Sequence, residues 1–102
     1  MLPRLINLSA LVLSGVLATT SRAEVDPARL YAIHCAACHG ADRLGNSGPA
    51  LVPETLDRLP PQAAAQVIAD GRAATQMPGF AHLLSSAEIE ALTAYLFTPP
   101  AI

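Results

Sequence analysis

Apolar positions through the central and C-terminal parts of the chain recur at three- and four-residue spacing, and no stretch shows the two-residue alternation of a half-buried strand. Leu30, Ile33 and Ala37 fall on one face of a first helix, with Asp26 as N-cap, Pro27 at the first helical position and Gly40 as its stop. Ala64, Val67 and Ile68 mark a second, opened by Pro60-Pro61 and closed by Gly71. Ile89, Leu92, Tyr95 and Leu96 line a third, preceded by the capping-box pattern Ser85-x-x-Glu88 and ended by Pro99-Pro100. The segment up to Leu59 holds Gly45, Gly48, Pro49 and Pro53, which is loop composition, and residues 72–84 form a second loop. The pattern predicts an all-α domain of three or more short helices, the first running unbroken through His39.

The N-terminal residues carry a different signal. Arg4 gives a positive start, Leu5 to Leu17 an apolar run interrupted by Asn7, Ser9, Ser14 and Gly15, and Ser21-Arg22-Ala23 a small-x-Ala cleavage site. Residues 1–23 are therefore expected to be a cleaved secretory signal peptide, with a retained membrane anchor as the alternative. The run is short and interrupted for a membrane span, so no stable membrane association is expected after cleavage. Residues 24–102 are left as one domain of 79 residues. A protein core alone is marginal at that length, and the only aromatics here are Tyr31, Tyr95, Phe80 and Phe97.

Cys35-Ala36-Ala37-Cys38-His39 offers a way to supply the missing volume. Two cysteines three apart followed by a histidine read as a c-type haem attachment site. Both thiols can add to vinyl groups on one edge of a porphyrin, placing His39 beneath the ring as an iron ligand. A thioredoxin-like disulfide would call for a strand-then-helix setting of β-branched residues, absent from Asp26 to Ala37. Structural zinc would need a second ligand pair, and a disulfide across so short a loop would stabilise little. Met77 is the candidate second axial ligand, because cleavage leaves it the sole methionine, in a loop beside Pro78 and Gly79. A thioether opposite an imidazole raises the haem potential. His82 is the alternative sixth ligand. Without haem the chain is expected to be largely unfolded.

Charge narrows the partners. After the leader, four Arg stand against eight Asp and Glu, a net charge of −4, and Lys is absent throughout. A lysine-ringed docking face is excluded and nucleic acid is not an expected partner. The complementary surface should be apolar or basic.

These elements in order, the haem motif on an N-terminal helix, Gly48-Pro49-Ala50-Leu51, Met77-Pro78-Gly79-Phe80 and a final helix with Ala94-Tyr95-Leu96, resemble a class I cytochrome c. The resemblance implies one covalent heme c held by Cys35 and Cys38, with iron ligands His39 and Met77. It also implies that the Pro49 carbonyl accepts a hydrogen bond from His39, that Leu51 packs on the haem, and that the terminal helices cross, setting Tyr95 and Leu92 against Leu30 or Ile33. Export to the periplasm follows from where such haem is attached. More narrowly, residues 34–43 and 71–80 are similar to the small cytochrome encoded beside dissimilatory nitrite reductase in denitrifying bacteria. That likeness implies a redox protein partner that carries d-type haem, a nitrite reductase or its maturation protein, and iron held by both His39 and Met77 implies a single-electron carrier, not an enzyme. A haem enzyme or gas sensor with displaceable Met77 is the reading from another class. Arg72 is a candidate propionate partner, Thr75 and Gln76 are candidates for hydrogen bonds around the Met77 loop, and Tyr31 and Tyr95 are expected to be packing residues.

Overall fold

The computed structural model describes residues 24–101, and among them there are four helices and no strand. The predicted signal peptide, residues 1–23, lies outside the described residues. Helix α1 spans Pro27–His34, α2 Ala36–His39, α3 Pro61–Asp70 and α4 Ser86–Leu96.

The first predicted helix is thus two. Asp26 caps α1 by accepting from the Arg29 N–H at 3.2 Å, and Pro27 occupies the first turn as expected. At Cys35 the backbone departs from helical geometry (φ −118°, ψ −32°). Its N–H still bonds the Tyr31 carbonyl at 2.8 Å, while its own carbonyl accepts from both Cys38 N, at 3.2 Å, and His39 N, at 3.0 Å. This tightened turn resets the helical phase. Extrapolating one face from Leu30 through Ile33 therefore fails at Ala37, which is exposed, and within α1 itself Ile33 is 60% exposed. Tyr31 takes the inward position instead, with its ring centroid 6.0 Å from that of Tyr95. The crossing of α1 with α4 is present, made by Leu30 and Tyr31 and not by Ile33.

Helix α4 is the central element, packing on α1 and on α3. Its capping box is complete: Glu88 N–H donates to Ser85 Oγ at 3.1 Å and Ser85 N–H to Glu88 Oε1 at 2.8 Å. Such a cap stabilises a helix by about 1 kcal/mol. The face behind it buries Ile89, Leu92, Thr93 and Leu96. Ala64 and Ile68 come from α3, and Leu56 and Leu84 from the loops.

Tyr31 does more than pack. Its hydroxyl donates to the Gly40 carbonyl at 2.6 Å, and burial, followed by the nearby Cys35, pushes its pKa from 10.0 up to about 12. Burial favours the neutral phenol, so the stability that goes with it is fully present below pH 10 and is lost as pH rises through about 12. Tyr31→Phe should therefore be less stable than the wild type at pH 8, by about 1 kcal/mol. Its denaturation midpoint should then fall less between pH 10 and 12, so that the two curves converge. Parallel curves would deny Tyr31 this part.

Candidate functional site

One cavity of about 250 Å³ gathers the candidate residues. Cys35, Cys38 and His39 reach it from the α1–α2 turn, Pro49 and Leu51 from the following loop, and Met77 from the loop after α3. Ile68, Phe80, Leu92 and Leu96 complete an apolar wall. Cys35, Cys38, His39, Pro49, Leu51 and Met77 thus border one space, and the alternative ligand His82 does not.

The imidazole of His39 is fixed by local backbone. Its Nδ1 lies 2.7 Å from the Pro49 carbonyl oxygen. A carbonyl only accepts, so Nδ1 carries the proton and Nε2 keeps its lone pair for a metal. Gly48 lets the loop come this close: a Cβ there would stand 2.9 Å from His39 Cε1 and 3.0 Å from Nδ1. Two further bonds hold the turn, Gly48 N–H to the Cys38 carbonyl at 2.6 Å and Gly45 N–H to the His39 carbonyl at 2.8 Å.

The cysteines are unpaired, Cys35 half-buried and Cys38 exposed. Burial pushes the Cys35 thiol from 9.0 up to about 11, so it stays protonated and poorly nucleophilic at neutral pH.

Met77 is held by backbone. The N–H groups of Phe80 and Ala81 return to the Ile68 and Ala69 carbonyls of α3 at 2.9 and 3.1 Å. Gly71, at φ +76°, packs on the Gly79 backbone so tightly that a Cβ would meet Gly79 N, Met77 O and Pro78 C at 2.7 Å. Thr75 does hydrogen-bond within this loop, its hydroxyl donating to the Arg72 carbonyl at 2.8 Å and accepting from the Met77 N–H at 3.2 Å. Arg72 and Gln76 line the cavity from exposed positions. His82 is exposed and lies outside the cavity lining.

His34 is a lining residue that helical periodicity did not single out. Its ring meets Phe80 edge-on at 5.7 Å between centroids. Its position next to Cys35 was the available signal. Arg43 is the larger surprise: it is 2% exposed, with its guanidinium in the interior.

Two thiols, an imidazole with a free Nε2, and a thioether around one apolar cavity are the donor set that a covalently attached haem requires, and the Gly48 cradle leaves room for the ring of His39. The fold and site define a class I cytochrome c with a c-type haem cofactor. Residues 22–96 match the family described as cytochrome C oxidase, cbb3-type, subunit III, and the chain belongs to this cytochrome c family. It is 53% identical over 97 residues to a Pseudomonas aeruginosa protein named dihydro-heme d1 dehydrogenase, a match covering 95% of this chain and 19% of that protein. A structure of dihydro-heme d1 dehydrogenase NirN in complex with DHE superimposes with a TM-score of 0.71 at 55% identity, over 76% of this chain and 17% of that one. The c-type cytochrome NirC matches with a TM-score of 0.65 at 36% identity, over 69% of this chain and 82% of its own. The chain thus spans about a fifth of the dehydrogenase and most of NirC.

Proposed function

We propose that the chain is a periplasmic monohaem electron carrier serving a d-type-haem system, exported by cleavage after Ala23, with residues 24–102 as its one domain. Cys35 and Cys38 would hold the haem, each by addition of its thiol S–H across a vinyl double bond, and His39 Nε2 and Met77 Sδ would bind its iron. The bound haem supplies a one-electron change at iron. The observation that carries this reading is the convergence of both thiols, the Pro49-oriented imidazole and the sole methionine of residues 24–102 on one apolar cavity. Two protein ligands kept in both redox states favour rapid electron transfer with little reorganisation, and they leave no iron position open to substrate.

Two partners are in contention. One is a dissimilatory nitrite reductase that receives electrons, a partner the sequence resemblance implies alongside a maturation protein. The 53% identity to a protein named dihydro-heme d1 dehydrogenase supports a second reading, in which this cytochrome accepts electrons during maturation of the d-type haem. Removing two hydrogens from a dihydro-haem releases two electrons and two protons, so a monohaem acceptor would turn over twice.

The deciding experiment is stopped-flow electron transfer between the purified holoprotein and each partner across ionic strength. Delivery predicts rapid oxidation of the ferrous protein by the reductase. Phe80→Ala at the cavity wall should slow it, Arg29→Ala on the exposed side of α1 should not, and salt should lower the rate. No transfer to the reductase at any salt, with reduction of the ferric protein by the dehydrogenase and dihydro-haem, moves the role to cofactor assembly.

A further inference from the structure

Arg43 lies at the centre of a closed ring of contacts behind the His39 segment. Its N–H donates to the Gly40 carbonyl at 3.1 Å, and its own carbonyl accepts from Leu51 N at 2.9 Å. It therefore joins the residue after His39 to the loop that presents the Pro49 carbonyl. Its side chain runs the other way. Nη1 donates to the Tyr95 carbonyl at 2.9 Å and Nη2 to the Thr98 carbonyl at 2.8 Å, and the guanidinium carbon sits 4.6 Å from the Tyr95 ring centroid. Tyr31, packed on Tyr95, closes the ring by donating to the same Gly40 carbonyl.

Two properties of this arrangement go beyond holding loops together. Arg43 adopts φ +67°, a left-handed conformation that an L-residue takes at a cost, so the surroundings impose it. The guanidinium is also buried without an anion among these partners, which are two carbonyls and an aromatic face. Asp42, next in sequence, turns its carboxylate to the Leu44 N–H at 3.0 Å. The carbonyls at the end of α4 solvate the guanidinium through their dipoles but leave its full charge in place. Neutral donors would satisfy the same carbonyls without the cost of burying a charge. Tyr95 is carried by the same helix as Leu92 and Leu96, which both line the haem cavity, so the charge packs on the element that walls the cavity.

We propose that Arg43 is a positioning residue of the redox centre, holding the His39–Pro49 pair in place, and that its buried positive charge raises the reduction potential of the iron. The inference rests on the proposed ligation by His39. Ferric haem carries one more positive charge than ferrous haem. A fixed cation in a poorly screened interior disfavours the ferric state and draws the equilibrium towards the reduced protein.

The test is potentiometric titration of the holoprotein for four variants, each with ferric absorption spectra to register ligation. Arg43→Gln removes the charge and should lower the potential. Thr98→Asp, at an exposed position beside the guanidinium, places a carboxylate next to the charge and should lower the potential with the clamp intact, which keeps the proposal testable if Arg43→Gln does not retain haem. Arg43→Lys keeps the charge but loses the forked contact, so it should stay near the wild-type potential while unfolding more readily. Tyr31→Phe breaks the same ring without changing charge and should leave the potential unmoved. The proposal is overturned if Arg43→Gln or Thr98→Asp keeps both the wild-type spectrum and the wild-type potential. It is equally overturned if Tyr31→Phe lowers the potential as far as Arg43→Gln does. Failure of the ligation reading is recognised separately, by a wild-type ferric spectrum that lacks six-coordinate low-spin features.

Discussion

Replacing both Cys35 and Cys38 by Ala should leave a chain without covalent haem and with most of its helix content lost. The reason lies in the cavity those thiols border. At about 24 cal/mol for each Å³, an empty cavity of about 250 Å³ would destabilise the fold by about 6 kcal/mol. That is comparable with the whole stability of a small domain. The cavity is lined by Leu51, Ile68, Phe80, Leu92 and Leu96, so water entering it finds few partners. Leu92 and Leu96 also face the helix contacts that define the core, and collapse around them would disturb α4 directly. Far-UV circular dichroism of the double variant reads the loss of helix. Extraction of the wild type with acidified organic solvent reads the covalent link, and release of its haem into the solvent would contradict the thioether assignment.

The second large effect is expected from one methyl group. Gly79→Ala would place a Cβ 2.6 Å from the Ala69 carbonyl oxygen and 2.7 Å from Asp70 C, both backbone atoms at the end of α3. Since neither can swing aside as a side chain would, the Met77 loop must move, at a cost of about 1–3 kcal/mol. Movement withdraws the thioether. The weak near-infrared band of sulfur-to-iron ligation should disappear from the ferric spectrum, the potential should fall, and carbon monoxide should bind the ferrous protein. Met77→Ala should reproduce the spectroscopic changes by deleting the ligand itself, with the Gly71–Gly79 contact intact. Met77→His should keep six coordination at a lower potential. A Gly79→Ala protein that retained the band and full stability would show that backbone closure is not what presents Met77.

Much of this site was legible from local sequence because its parts are local devices. The Cys-x-x-Cys-His spacing, the Ser85–Glu88 capping box, the Asp26 cap and the stops at Gly40 and Gly71 all act within four residues, and each occurs where the pattern placed it. What escaped depends on longer range or on broken phase. Helical spacing assumes continuity, and the turn at Cys35 interrupts the face before Ala37, while within α1 it is Tyr31 and not Ile33 that is buried. Leu56 and Leu84 enter the core from loops, where no periodicity announces burial. Nothing local singles out Arg43, because its partners, the Tyr95 and Thr98 carbonyls, lie 52 and 55 residues away and belong to backbone. A residue-type pattern carries no trace of an acceptor that every residue possesses.

The neck at Gly71 and Gly79 gives the Met77 loop a lifetime as well as a shape. Backbone closes this neck, and the Phe80 and Ala81 N–H groups clip it to α3, so opening the loop would require these contacts to break together. On the proposed ligation, the residence time of sulfur on iron is governed by that collective opening together with the strength of a single iron–sulfur bond. An exposed position such as Ala73 can then drift in sequence and reshape the surface a partner meets, while the rate at which the sixth position becomes vacant is inherited from two glycines.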